Sequence, residues 1–301
     1  MPAIKQDLYE LVTNKVIAAL EGGAPPWAPP WRGDGRSMQP ENLATGRAYR
    51  GVNVLLLNMQ AALAGYPTNR WLTFHQAKSL GAHVRRGEEG SPIVFFKIQE
   101  REEPAAGCEP ARSVYPLLRR FTVFNASQID GLPPEFSAEP PDVTWDACAE
   151  ADALIKGTGA RIEHGGQQAF YAPEPDLIRL PDQGLFASPE AYYDVALHEL
   201  THWTGHKDRL GRPLGGRFGL SAYAFEELVA EMGSAFLNAH CRLDSHLQHA
   251  AYVQEWLKAL QNDRRLIFRA ASLAQRAADF VIGCTPDCNQ EGVAETQREA
   301  A

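Results

Sequence analysis

The pentapeptide His198-Glu-Leu-Thr-His202 constrains the fold of this chain more than any other stretch of its sequence. Residues four apart on an α-helix lie one above the other on the same face. If this stretch is helical, the imidazoles of His198 and His202 can bind one metal ion, and Glu199 lies beside it, able to take a proton from an activated water. Zinc peptidases use this arrangement. We therefore predict a helix that carries a Zn²⁺ site, with Glu199 as its catalytic base.

The residues on either side of the motif are typical of helix ends. Ser188 is a favourable N-cap, and Pro189 and Glu190 suit a first turn. Gly205 is a residue type that often ends a helix. Two histidines at this spacing also occur in ordinary surface helices. The helix-end residues on both sides of the motif favour a metal site over a chance occurrence of the spacing.

A catalytic zinc site needs a third protein ligand, and the sequence offers two candidates. Asp208, together with Gly205, completes the pattern HExxHxxGxxD, a variant of the metzincin motif. Glu227 lies further along, in a segment whose apolar spacing predicts a second helix. In gluzincins a Glu on a second helix is the third ligand. We favour Glu227, and Asp208 stays the alternative.

The acidic residues around Glu227 have different expected roles. Glu231 shares a helix face with Glu227, one turn further on. Gluzincins have an acidic residue at this spacing, which orients the first histidine of the motif, and outer carboxylates of this kind raise the basicity of a ligand. We therefore place Glu231 behind His198. Glu226 points about 100° away on the helix and is expected to face solvent.

Length and composition indicate a globular protein. The chain has 301 residues, of which 45% are hydrophobic and 22% charged, so two domains are the default expectation. No apolar run approaches the ~20 residues of a membrane span, and the N-terminus lacks the layout of a signal peptide. The five cysteines are scattered, as in proteins with reduced thiols. We expect a cytoplasmic protein with no membrane partner.

The fold class expected is α+β, with a small α+β domain at residues 1–130, a Pro-rich linker at 131–144, a second domain at 145–288 and a disordered polar tail at 289–301. The spacing of apolar residues predicts helices at 5–21, 53–64, 74–80, 145–156, 246–262 and 264–283, and strands at 83–86, 92–98, 115–124, 160–163, 168–172 and 177–180. Residues 99–113 are expected to form a polar loop inside a hairpin.

The net charge of −8 is unevenly divided: residues 1–130 carry 15 basic and 12 acidic side chains, whereas residues 131–301 carry 14 and 25. Basic and aromatic residues interleave in the first domain, and single-stranded nucleic acid binds by base stacking on exposed rings with cations along its backbone. A core position is the alternative for Trp27. The residues predicted to contact nucleic acid are Trp27, Trp31, Arg32, Arg47, Tyr49, Arg50, His75, Lys78, Arg85 and Arg86.

The chain resembles antirestriction proteins of the ArdC type, a family carried by conjugative plasmids. The resemblance spans residues 5–283 and rests on Pro26-Trp27 with Pro30-Trp31, Thr45 to Asn53, Trp71 to Ala77, Gly81 to Gly90, Phe121 to Gly131, His198 to His206 and Glu226 to Glu231. It implies a first domain that binds single-stranded DNA, a zincin-like metallopeptidase as the second domain, and a role in protecting incoming plasmid DNA from host restriction.

Two hypotheses about function remain. In the first, the protein is a gluzincin-like zinc metallopeptidase in which Glu199 takes a proton from water and hands it to the leaving amine. Tyr223 is then a candidate for stabilising the oxyanion, strand 177–180 for holding a peptide by edge addition, and DNA-bound restriction proteins for the substrate. In the second, the protein is a non-proteolytic shield of single-stranded DNA whose metal is mainly structural. The intact Glu199 favours the first, since a structural site needs no base.

Overall fold

The structure is a computed structural model that describes residues 7–22, 27, 39–103, 111–137, 147–214, 220–243 and 252–284. Its helices are α1 (Leu8–Glu21), α2 (Val52–Ala64), α3 (Phe74–Ser79), α4 (Pro134–Ser137), α5 (Ala147–Gly157), α6 (Pro189–Thr204), α7 (Leu220–Cys241), α8 (Val253–Asn262) and α9 (Leu266–Gly283). Its strands are β1 (Glu41–Asn42), β2 (Arg47–Ala48), β3 (Arg70–Thr73), β4 (His83–Val84), β5 (Ser91–Glu103), β6 (Ala111–Asn125), β7 (Ile129–Asp130), β8 (Ile162–His164), β9 (Phe170–Ala172) and β10 (Leu177–Leu180). This mixture confirms the α+β class.

A five-stranded sheet in the order β2-β1-β3-β6-β5 organises the first half of the chain. The hairpin of β5 and β6 is longer than predicted, because its ladder continues to the pair Glu103–Ala111. The polar loop expected at 99–113 is therefore wrong for residues 99–103 and 111–113, and the rest of it, 104–110, lies outside the described part. A two-stranded ribbon has little to bury against, so polar side chains in it do not signal a loop.

The edge strand β5 is held against α2 by one side chain. The amide of Asn53 donates to the carbonyl oxygen of Val94 at 2.8 Å and accepts from the Val94 N–H at 2.8 Å. These two bonds occupy the main-chain N–H and carbonyl of Val94, which an edge strand otherwise presents to other chains.

The second half contains a three-stranded sheet in the order β8-β10-β9, which packs beside α6. Strand β10 runs parallel to β8 and antiparallel to β9, so it is bonded on both sides. The prediction that residues 177–180 offer a free edge to a peptide is therefore wrong. The edge strand on the side of the metal motif is β9.

Helices α6 and α7 pack closely at one glycine. A Cβ added to Gly233 would lie 2.5 Å from the side chain of Thr201, so a larger residue would push the helices apart. The contact is supported by Asn238, whose amide donates to the Asp194 carboxylate at 2.6 Å. This packing fixes the position of α7, which carries the predicted third ligand, against the motif helix.

The two halves share a continuous hydrophobic core. Residues of α1 and α2 pack in one cluster with residues of α5 to α9. The Thr13 hydroxyl donates to the Arg264 carbonyl at 2.8 Å, and the Gly51 N–H donates to the Gln275 side chain at 3.0 Å. The boundary at residues 131–144 stays a prediction. Among the described helices, none combines the length and apolar character needed to cross a bilayer.

Candidate metal centre

The motif histidines lie on one face of α6, as predicted. The Ser188 hydroxyl caps the helix by accepting from the Ala191 N–H at 3.3 Å. At the other end Gly205 has ordinary right-handed geometry, with φ of −75°. Its lack of a side chain matters for packing, because a Cβ there would lie 2.5 Å from Leu214. The helix stops where the chain folds back tightly over its last turn.

Three side chains converge in front of α6. The Nε2 atom of His198 lies 3.6 Å from one oxygen of Glu227, and the Nε2 atom of His202 lies 3.4 Å from the other. The three groups offer ligand atoms that all lie within 4.8 Å of one another. Atoms bound at about 2.1 Å in a tetrahedral zinc site are roughly 3.4 Å apart, so the donor set fits such an ion.

Asp208, the alternative ligand, lies elsewhere. Its side chain is 75% exposed, and its carboxylate is 3.5 Å from Nδ1 of His206. Glu227, by contrast, is buried between the two helices. The geometry therefore favours Glu227 as the third ligand.

Glu226 is buried, and the expectation that it faces solvent is wrong. Its carboxylate accepts from the Arg212 guanidinium at 2.8 and 3.1 Å and lies 3.3 Å from Nδ1 of His202. Arg212 is itself buried, and it also donates to the Thr204 hydroxyl at 2.8 Å and the Thr201 carbonyl at 2.6 Å. An imidazole that donates from Nδ1 keeps Nε2 free for a metal.

This network places Glu226 against the outer nitrogen of His202, a role that the sequence did not predict for it. Glu231 is buried on the same helix. Its predicted position behind His198 stays a prediction.

The carboxylates and imidazoles of the site shift each other's pKa values. Burial disfavours the charged form of His202, but Glu226 and Glu227 outweigh it and raise the pKa of His202 to about 10. Burial likewise opposes ionisation of Glu227, but the two imidazoles hold the pKa of Glu227 well below its usual range. A metal ion that binds here must displace the His202 proton.

The three side chains form the floor of a cleft of about 250 Å³. Glu199 lies in the cleft wall with 8% of its surface exposed, and Tyr223 is 43% exposed at the rim. Burial raises the pKa of Tyr223, with hydroxyl contacts to Tyr252 and Glu227. The rest of the lining is Glu226 together with six apolar or aromatic residues: Ala169, Phe170, Tyr171, Pro173, Leu214 and Tyr252. The cleft thus brings a proton acceptor, a hydroxyl donor and the edge of a strand close to the point where the three ligand groups converge.

The predicted nucleic-acid residues do not form one surface. His75, Lys78, Arg86 and Arg47 are exposed. Arg85 is also exposed, but its guanidinium pairs with Glu88 at 2.7 Å and Asp130 at 3.3 Å.

Three of these candidates face the interior or the second half. Trp27, for which a core position was the alternative, is 3% exposed and packs edge-on against Trp256, so it presents no ring face to a ligand. Tyr49 is partly buried, and its hydroxyl accepts from the Asn42 amide at 3.3 Å. Arg50 pairs with Asp279 on α9. Trp31 and Arg32 lie outside the described residues.

Sequence reasoning missed two groups near these sites. Arg212 stands in a Gly- and Pro-rich loop with no spacing relation to the motif, so only the folded chain brings it to Glu226. The rings of Phe95 and Phe121 are about half exposed on the hairpin. The signal for them was the continuous apolar run around Phe95, because alternate side chains of a strand point to opposite faces and Val94 is the one that is buried.

Both halves of the chain match models of known protein families. Residues 6–124 match the family model for the N-terminal domain of anti-restriction factor ArdC, and residues 149–273 match that for a zincin-like metallopeptidase. The chain is 40% identical to an uncharacterized protein, y4eC, of Sinorhizobium fredii, over 97% of each chain. It is also 41% identical to a DNA primase TraC of Escherichia coli, of which it spans 29% of the length.

Two solved structures are similar along almost the whole chain. Both are crystal structures of the antirestriction ArdC protein from plasmid R388, and both are 43% identical to this chain. The metal-free form aligns with a TM-score of 0.80, covering 93% of this chain and 98% of that one. The Mn(II)-bound form aligns at 0.77, covering 94% and 99%. The chain therefore belongs to the family of ArdC-type antirestriction proteins.

Proposed function

We propose that this protein acts in the cytoplasm to protect incoming plasmid DNA from host restriction, by binding single-stranded DNA and cleaving proteins at a zinc peptidase site. The observation that carries the proposal is the convergence of His198, His202 and Glu227 on one point, with Glu199 beside them in an open cleft. A structural ion would need ligands alone, whereas this arrangement adds a base and room for a substrate.

The donor set supports zinc as the native ion. Two imidazole nitrogens and one carboxylate oxygen are the ligands of many catalytic zinc sites, which keep a fourth position open. A zinc ion bound there supplies Lewis acidity, which acidifies a water molecule and polarises a peptide carbonyl. The Mn(II)-bound relative supports a divalent ion in this family.

The protein side chains would then carry the remaining chemistry. Glu199 accepts the proton of the attacking water and passes it to the leaving amine. The Tyr223 hydroxyl donates a hydrogen bond to the developing oxyanion. A peptide adds as a further strand to the edge of β9, where Phe170 is 45% exposed beside the cleft.

The non-proteolytic shield remains the rival function. It requires a metal whose role is mainly structural. The metal-free relative aligns with this chain as well as the Mn(II)-bound one does, which argues for a fold that forms without the ion. We therefore prefer the peptidase.

The full chain is expected to bind single-stranded DNA more tightly than duplex and with little sequence preference. Each phosphate neutralised by Arg or Lys releases condensed counterions, so the log–log slope of affinity against salt should be about −0.7 per contact. Fluorescence anisotropy with labelled oligonucleotides measures both quantities. Equal affinity for the two forms of DNA, or a flat salt response, would remove this part of the proposal.

Proteolysis is expected to depend on DNA. If DNA bound to the first half brings a DNA-bound substrate to the cleft, the effective substrate concentration rises, often into the millimolar range. Generic peptides would then be poor substrates. The test mixes the full chain, single-stranded DNA and a DNA-bound restriction subunit, and follows cleavage by gel. Cleavage that is equally fast without DNA would rule out the tether, and cleavage of no partner would favour the shield.

A further inference from the structure

Two phenylalanine rings lie exposed and in contact on the β5–β6 hairpin. Phe95 is 48% exposed and Phe121 is 44% exposed. Their centroids are 6.0 Å apart, with the rings nearly perpendicular. Leaving two large apolar rings in water is unfavourable, and adjacent exposed apolar side chains often mark a binding surface.

The strand register places a cation on the same face as these rings. Phe95 stands directly opposite Arg119, and Phe121 opposite Ile93. Opposite residues of an antiparallel pair, and residues two apart on a strand, point to the same side of the sheet. Phe95, Phe121 and Arg119 therefore form one group, which we call the hairpin platform.

The hairpin platform stands on a rigid base. Ile93 packs against the cluster of Leu57, Ala61, Trp71 and Val123, whose side chains are fully buried. Tyr66 packs against the same cluster. Rings supported by such a core lose little conformational entropy when a ligand stacks on them.

The platform face carries a positive charge at Arg119, whereas Arg120, the next residue along the strand, points to the opposite face. Arg119 and Arg120 are both exposed, and within the part of the chain that the structure describes neither forms an ion pair. Cations without carboxylate partners suit a ligand that carries repeated negative charge.

We propose that the hairpin platform is a stacking site for unpaired bases of single-stranded DNA, with Arg119 beside the DNA backbone. Single strands expose the base faces that aromatic rings bind, whereas a duplex hides them. This assignment rests on the proposed function, because it names where the single strand binds. The platform residues add to the exposed cations that the sequence predicts to contact nucleic acid. The two rings contribute more to the affinity than those cations do.

The test uses the full chain and a labelled oligothymidylate in fluorescence anisotropy. Phe95→Ala and Phe121→Ala should each weaken binding by about 5- to 150-fold, the loss that follows removal of one stacked base. Phe121→Trp should retain binding, because it keeps a ring. Leu63→Ala is the matched control, since Leu63 is 85% exposed and apolar but has no ring. It should bind as the unmodified chain does.

A direct contact is checked by photocrosslinking to a 5-iodouracil oligonucleotide, with Phe95 or Phe121 expected in the crosslinked peptide. Circular dichroism melting confirms that each variant is folded. Unchanged affinity in folded Phe95→Ala and Phe121→Ala, in a chain that binds single strands, would overturn the platform and leave the proposed function standing. Absence of any single-strand binding by the unmodified chain would overturn both. If the alanine variants instead convert a dimer to a monomer in sedimentation without changing DNA affinity, the face is a self-association surface and the proposal is wrong.

Discussion

Replacing Glu199 with Gln is expected to slow cleavage of a DNA-bound protein by about 10²- to 10⁴-fold, the usual contribution of a general base. The amide has nearly the size of the carboxylate but cannot accept the proton of the attacking water. Glu199 lies in the cleft wall and is not among the three converging ligand groups, so metal content and affinity for single-stranded DNA should stay unchanged.

This variant also separates the two functions that the sequence left open. Transfer of unmodified plasmid DNA into a restricting host measures protection. A peptidase mechanism predicts that Glu199→Gln loses protection although it still binds DNA and metal. Full protection by this variant would mean that proteolysis is unnecessary, and the shield would be the correct function.

Replacing His202 with Ala is expected to remove the metal. His202 supplies one of three ligand atoms, and its loss also leaves the Glu226 carboxylate without an imidazole partner. Elemental analysis after dialysis should find about one zinc per unmodified chain and none in His202→Ala. Glu227→Ala should behave in the same way, whereas Asp208→Ala should keep its zinc. The reverse result for the last two variants would restore the metzincin-like alternative.

Replacing Arg212 with Met is expected to weaken metal binding without abolishing it. Arg212 touches no ligand atom, but its guanidinium holds the Glu226 carboxylate against Nδ1 of His202. Loss of such an outer partner usually costs 10- to 100-fold in metal affinity. Competition with a chromogenic chelator should show weakened binding rather than none, and Arg212→Lys should recover part of it. Equal affinity in Arg212→Met and the unmodified chain would show that the network does not position the imidazole.

The convergence of His198, His202 and Glu227 could be predicted because it depends on local geometry. His198 and His202 need only a helical spacing of four, and Glu227 needs only a second amphipathic helix. Glu226 could not be predicted in the same way. Its angle from Glu227 follows from helix geometry, but whether that face meets solvent depends on the fold of residues 205–214, which bring Arg212 back over it.

The surfaces were harder to predict than the site, since they depend on which strands and halves are neighbours. The apolar pattern of residues 177–180 is the same for an edge strand and a central strand, and only the order β8-β10-β9 shows that the edge is β9. Likewise, nothing local in the sequence around Trp27 or Arg50 indicates contact with α8 or α9. The second half therefore meets the first half at Arg50, a residue that the sequence predicted to contact nucleic acid.

Anomalous X-ray diffraction from crystals of the zinc-loaded protein, recorded on both sides of the zinc absorption edge, tests the central claim most directly. The predicted result is one peak in the cleft, about 2.0–2.2 Å from Nε2 of His198, Nε2 of His202 and a carboxylate oxygen of Glu227. A peak bound by Asp208 in place of Glu227, or no peak in the cleft of protein that protects transferred DNA, would contradict the account.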